Sequence, residues 1–217
     1  MSAAPALLDR LEVRDPASFA AAIGATPAQL AELEGLRAML TDWNQRLNLV
    51  SDASLAEFWP RHALDSAQLR ALAPTARTWV DIGAGAGFPG LVLAILLKGE
   101  AGARVHLVES TAKKCRFLEA VVDALVLPAE VHNARAESLS IKVDIVTARA
   151  VAPLPRLLAF AAPYFAHGAS GLFLKGRGAD AEIAEARRSW RFTCNVTPSL
   201  SDAEGRVLQI EGLVRGR

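Results

Sequence analysis

Between Val80 and Gly90 the chain reads VDIGAGAGFPG, an apolar run that breaks into four glycines, Gly83, Gly85, Gly87 and Gly90. Glycine loses more conformational freedom on ordering than any other residue, so such a run marks a backbone that needs positive φ or a close approach to another group. The turn leads from a strand pattern into a helix pattern, which lets its N–H groups and the helix start face a bound nucleotide. A dinucleotide loop has the spacing G-x-G-x-x-G. Counted from Gly83, its third glycine would fall at position 88, but that residue is Phe88 and the glycine comes one place early, at Gly87. The G-x-G-x-G spacing, preceded by the acid Asp81, is that of an S-adenosylmethionine loop. Read from Gly85, GAGFPG does fit the dinucleotide pattern, so NAD stands as the weaker alternative.

Other residues with usable chemistry follow at intervals. Glu109 ends the second strand pattern, RVHLVE, where a carboxylate reaches ribose hydroxyls in either cofactor class. Ala136 and Glu137, after the third strand pattern, are candidates to flank an adenine. Arg149 follows the fourth strand pattern, where a residue facing substrate belongs, and an arginine there can hold a carboxylate, a phosphate or a base edge. His62 and Asp65 are three apart on a helix and share a face, as a structural pair or toward a substrate. Lys175 and Arg177, in LKGRG after the fifth strand pattern, suit phosphate contact or an ordinary charged loop. No Ser/His/Asp set stands out, so no catalytic residue is assigned beyond Arg149 as a candidate for orienting substrate. No CxxC or Cys/His spacing points to a metal, and none is expected.

The elements that must position these residues are of two kinds. Up to about residue 75 the chain is helical. Thr26-Pro-Ala-Gln29 is a capping box, and Leu30, Leu33, Leu36, Leu40, Trp43 and Leu47 then recur every three or four residues. Ser54-Leu-Ala-Glu57 reads as a second capping box, with Pro60 expected to break or restart its helix. Asn48 is expected to organise the turn after the first long helix. From Thr78 short apolar strands alternate with helices, and RFTCNV and RVLQIEGLV close the chain as a hairpin. Alternation implies a doubly wound, mostly parallel sheet, here of seven strands with an antiparallel C-terminal hairpin. Ligands bind such a sheet beyond the carboxyl ends of its strands, where the strand order reverses. The expected organisation is an N-terminal helical extension, 1–75, on a Rossmann-like methyltransferase domain, 76–217, as one compact unit.

Composition bounds the rest. The 217 residues carry a net charge of +1, the balance of a neutral soluble protein, though such a total can hide a local basic patch such as Lys113, Lys114 and Arg116 or Arg187, Arg188 and Arg191. MSAAPALLDRLEVRDP has no basic start before an apolar run, and LVLAILL is too short to span a bilayer. The expectation is a cytoplasmic protein, without membrane partners, in a reducing compartment. Cys115 and Cys194 lie in a helix and a late strand, wrong for a cytosine-C5 nucleophile near the fourth strand.

The strings NQRLNLVS (Asn44 to Ser51), RHALDS (Arg61 to Ser66), VDIGAGAGFPG, LVES-x-x-KKCRFLE (Leu107 to Glu119), RAE, DIVTARAVAPL (Asp144 to Leu154) and LKG fall in one order along the chain. Together they resemble the bacterial small-subunit ribosomal RNA guanine-N7 methyltransferases. The resemblance implies a class I S-adenosylmethionine-dependent methyltransferase fold, with 16S rRNA or the small ribosomal subunit as partner. It also implies Gly83, Phe88, Ala136, Glu137 and Arg149 as cofactor contacts, with Glu109 where many members have aspartate. Guanine N7 carries an in-plane lone pair at neutral pH, so a general base is dispensable and alignment carries the catalysis. A monomer is expected. The alternatives are a methyltransferase acting on another RNA or a small molecule, and a non-catalytic adenosine- or NAD-binding module.

Overall fold

The computed structural model describes residues 12–216; the first residues of the MSAAPALLDRLEVRDP stretch, and so of the 1–75 extension, lie outside them. Seven strands form one sheet in the order β3-β2-β1-β4-β5-β7-β6. They are β1 (Thr78–Ile82), β2 (Arg104–Glu109), β3 (Ala129–Asn133), β4 (Ile145–Arg149), β5 (Ser170–Lys175), β6 (Trp190–Pro198) and β7 (Arg206–Arg215). The first five pair in parallel; β7 inserts antiparallel between β5 and β6. The order therefore reverses between β1 and β4, the place where an open α/β sheet leaves a crevice.

One sheet face is covered by α2 (Pro27–Leu47), α4 (Asp65–Leu72), α5 (Gly90–Leu97) and α6 (Ala112–Leu125), whose apolar residues share one core with Trp79, Val105 and Leu107. The other face packs under α7 (Leu154–Phe165) and α8 (Ala179–Ala186). The N-terminal helices, which also include α1 (Pro16–Ile23) and α3 (Asp52–Ala56), thus bury no separate core. In α2 the capping box forms as its sequence requires, and Gln29 also reaches from it to the carbonyl of Leu96 at the end of α5 (3.1 Å). Leu33, Leu36 and Leu40 are fully buried, one helical turn apart. Asn48 ends the helix in the left-handed region, φ 48°. Asn44 holds the same turn by exchanging hydrogen bonds with Val50 (2.9 and 3.0 Å).

One local expectation is corrected and a second is met. The cap of α3 is Ser51, whose hydroxyl accepts from Ser54 N–H, while the Ser54 hydroxyl turns inward to His62. A serine that caps cannot also serve a buried ring, and the apolar run starts early enough for Ser51 to take the first role. Pro60 stands where the helical course restarts, since α3 ends at Ala56 and a new segment begins at Phe58. It lies in the first turn of a wide π-helical segment, Phe58–Leu64, where its missing N–H leaves no bond unmade, and that segment runs straight into α4.

With one core shared between them, the two parts are expected to unfold together. Leu36→Ala is expected to cost about 2–5 kcal/mol and to shift a single urea transition of the whole chain. A separate early transition for the helices, with the sheet's midpoint unchanged, would contradict the shared core.

Candidate cofactor and substrate clefts

The glycine turn is held by its neighbours before any ligand is considered. Gly83 and Ala84 both donate to the carbonyl of Val108 on β2 (2.8 and 3.0 Å), so the chain leaving β1 stays paired one step past the strand. Gly83 and Gly87 have φ of 68° and 89°, the left-handed region that favours glycine. A Cβ at Gly87 would lie 2.2 Å from Leu91 Cδ1, and one at Gly90 would lie 2.3 Å from Leu107 Cδ2. A Cβ at Gly83 would meet Val151 across the crevice at 2.8 Å. Packing alone therefore demands glycine at 87 and 90, whereas at Gly83 the crowding is with the opposite wall of a cleft.

Glu109 fixes the loop. Its carboxylate accepts from Gly85 N–H (3.1 Å) and from Thr111 N–H (2.7 Å), and its side chain is buried. Two carboxylate oxygens offer about four acceptor positions, so about two remain for another donor. Asp81 stands beneath the loop, fully buried. Its Oδ2 accepts from Gly90 N–H at the start of α5 (2.9 Å), and its Oδ1 is a buried acceptor without a partner. Burial pushes its carboxyl up to about 7, against the pull of the Gly90 bond and of Arg149.

Two clefts open here. A cavity of about 210 Å³ is lined by Gly83, Glu109, Ala136, Glu137, Val151 and Phe160. Ala136 and Glu137 sit in a short 3₁₀ turn after β3, whose Ala136 carbonyl accepts from the buried Tyr164 hydroxyl (3.0 Å). A wider cleft of about 1020 Å³ lies between the α3 region and the ends of β4 and β5. It is lined by Arg61, His62, Asp65, Arg149, Lys175 and Val151 among others, so Val151 borders both spaces. Val151 follows Ala150, which is held at φ 56°. A non-glycine residue in that region stores about 1–2 kcal/mol of strain, as residues beside functional clefts often do.

Between these clefts lies a cluster that the sequence did not reveal. The His62 ring stacks on Phe88 with centroids 4.4 Å apart and planes 7° from parallel. Its Nε2 bonds the Ser54 hydroxyl (2.6 Å) and its Nδ1 the Arg149 guanidinium (2.9 Å). Burial, with the Arg149 and Arg61 charges adding to it, pushes the ring down to about 3, so it is neutral at physiological pH. Arg149 also donates to the Arg61 carbonyl (2.9 Å) and to Asp65 (3.3 Å), and it lies over the Phe88 ring at 5.0 Å. Three of the five N–H donors of a guanidinium are thereby used, and two remain on a residue that lines the wide cleft.

His62 and Asp65 do not bond to each other; each meets Arg149 from its own side, and Asp65 also accepts from Ser201 (2.6 Å). Phe88 is brought to the same cluster with its ring 3% exposed, so it backs the cleft and presents no free face to it. Lys175 lines the wide cleft and is engaged within the chain. Its ammonium donates to the Ala152 carbonyl in the loop after β4 (2.6 Å) and to Glu182 in the first turn of α8 (2.7 Å). Arg177 remains exposed and pairs with Glu204. Asp81, Gly83, Gly85, Gly87 and Glu109 gather at the loop, with Ala136 and Glu137 across the small cavity.

A family model described as rRNA small subunit methyltransferase G matches residues 29–207. A Caulobacter vibrioides protein named "Ribosomal RNA small subunit methyltransferase G" is 56% identical over 205 residues, covering 94% of this chain and 95% of its own. One of the same name from Parvibaculum lavamentivorans is 47% identical over 206 residues, covering 93% and 91%. Among solved structures, the SAH-bound Podospora anserina methyltransferase PaMTH1 superposes with a TM-score of 0.61 at 14% identity, covering 97% of this chain and 98% of that one, a likeness of fold.

The raised Asp81 carboxyl has a consequence for stability. A buried acid whose folded pKa lies above its unfolded value favours folding below pH 3.8 and loses that contribution as pH rises toward about 7. Asp81→Asn keeps an acceptor for Gly90 N–H and removes the titration. Urea midpoints of wild type are expected to fall between pH 4 and pH 7 relative to those of the variant; parallel curves would remove the buried charge from the account.

Proposed function

The chain belongs to the rRNA small subunit methyltransferase G family, and from that premise we propose that it transfers the methyl group of S-adenosylmethionine to N7 of a specific guanine in 16S rRNA. The observation that carries this reading is the pair of clefts that share Val151, one with a buried carboxylate and glycine turn, the other wide and bordered by an arginine. The residues present fit the donor. Glu109 keeps acceptor positions of the kind ribose hydroxyls need, the Gly83 side lacks the Cβ that would close on Val151, and Ala136 leaves room beside the 3₁₀ turn. When bound, S-adenosylmethionine supplies an electrophilic methyl group on a positively charged sulfur.

The chain's own part is to bind and orient. Guanine N7 presents its lone pair in the ring plane, so no proton need be removed before transfer. Neutral His62, with both ring nitrogens already bonded, is a support for Arg149 and Phe88 and not a base. Arg149, held by His62, Asp65 and the Arg61 carbonyl, has donors left for guanine O6 or an RNA phosphate at the mouth of the wide cleft. Alignment of this kind can supply roughly 7–11 kcal/mol of a bimolecular barrier. With a net charge of +1, binding draws on shape and on local contacts more than on bulk attraction. The reading carries with it a monomer working in the cytoplasm, where the ribosomal RNA is.

Incubating the purified chain with tritiated S-adenosylmethionine and small subunits from a deletion strain tests this. Label is expected in 16S rRNA, at one guanine whose strand is cleaved after borohydride and aniline treatment. Label only in other RNA, or in a position that resists that cleavage, would contradict the assignment. Arg149→Ala is expected to slow transfer at saturating donor about 10- to 100-fold, the cost of a reactant misplaced by about 1 Å. An unchanged rate would remove Arg149 from the reaction.

A further inference from the structure

On the edge pair of the sheet, β2 and β3, three side chains with metal-binding chemistry meet. His106 on β2 stands opposite Glu130 on β3 in the strand register, and His132 is two residues further on the same face. His106 Nδ1 and His132 Nε2 are 3.0 Å apart, and the Glu130 carboxylate lies 3.9 Å from each ring. The donor atoms all fall within 4.8 Å of one another. Both imidazoles are mostly shielded, with 12% and 18% of their side chains exposed, while Glu130 is at the surface.

We propose that His106 Nδ1, His132 Nε2 and the Glu130 carboxylate form a binding site for a divalent late first-row transition metal ion, with solvent completing the coordination. Two imidazoles and a carboxylate are a donor set for Zn²⁺, Ni²⁺, Co²⁺ or Cu²⁺ in preference to Mg²⁺ or Ca²⁺, which take oxygen ligands. Ligands about 2.0–2.1 Å from a tetrahedral ion are about 3.3 Å apart. The two ring nitrogens therefore need to open by only a few tenths of an ångström. Glu130 closes the remaining gap by rotating a half-exposed side chain, and it must loosen its bond to Arg104 (3.2 Å) to do so. A parallel register brings His106 to Glu130 and His132, so no local spacing in the sequence joins all three.

The ion would fasten the edge strand β3 to β2. Both strands run on to the small cavity, where Asn133 and Ala134 donate to the Glu109 carbonyl (3.1 and 3.2 Å). None of the three residues lines either cleft.

The test uses the untagged full chain stripped with chelator. Zn²⁺ calorimetry is expected to show one equivalent bound and a raised melting temperature, and Co²⁺ to give the visible absorption of a low-coordinate nitrogen–oxygen site. His106→Asn and His132→Asn should each weaken Zn²⁺ binding by at least about tenfold and abolish the cobalt colour, with melting in chelator unchanged or nearly so. The proposal is overturned if folded wild type takes up no Zn²⁺ at high micromolar concentration, which would leave the rings joined by an N–H···N bond alone. It is equally overturned if both histidine variants bind the ion as wild type does.

Discussion

Everything at the head of this sheet converges on Glu109. Its carboxylate gathers the glycine turn after β1 and the start of α6, through Gly85 and Thr111. Its own carbonyl takes hydrogen bonds from Asn133, from Ala134 and from the Cys115 thiol. One residue thus ties the ends of three strands and a helix to a single point. A buried carboxylate is tolerated there because it is met by N–H groups, and it fixes the width of the cavity while leaving acceptors to spare. The loop's small residues then follow: Leu91 and Leu107 exclude a Cβ at 87 and 90, and the turn can close no other way.

The second fixed point is Arg149. Its neighbours come from the helical segment far earlier in the chain, so the guanidinium couples the end of β4 to the segment that roofs the wide cleft. The neutral His62 ring lets a cation sit beside it without repulsion, and the Phe88 ring supplies a face for both. The two fixed points flank Val151, which borders both clefts, and the strained Ala150 sets its direction. The two clefts thus meet at the segment of backbone that follows β4, through Val151.

The periodicities of the sequence carried the architecture well. Leu33, Leu36 and Leu40 spell out a helix face, and TWVDI and RVHLVE spell out buried parallel strands, because burial on one or both faces forces those patterns. The glycine spacing marked the positive-φ turn after β1 for the same reason, since backbone geometry there depends on local residues. What local pattern could not carry were pairings set by tertiary distance. Arg149 and His62 lie 87 residues apart, and Ser54 serves His62 in place of capping its own helix. Lys175 is drawn to Glu182 and Ala152 by the course of a loop that no periodicity describes. The His106, Glu130 and His132 group depends on strand register, which emerges only when the sheet is assembled.

The central claim is that the space pinned open by Glu109 receives the nucleoside of a methyl donor and not a hydride carrier. Calorimetric titration of the folded chain with S-adenosylmethionine, its demethylated product and NAD addresses it directly. The account predicts one site for each of the first two and no measurable heat with NAD. Saturable NAD binding with silence from both sulfur-bearing ligands would contradict it.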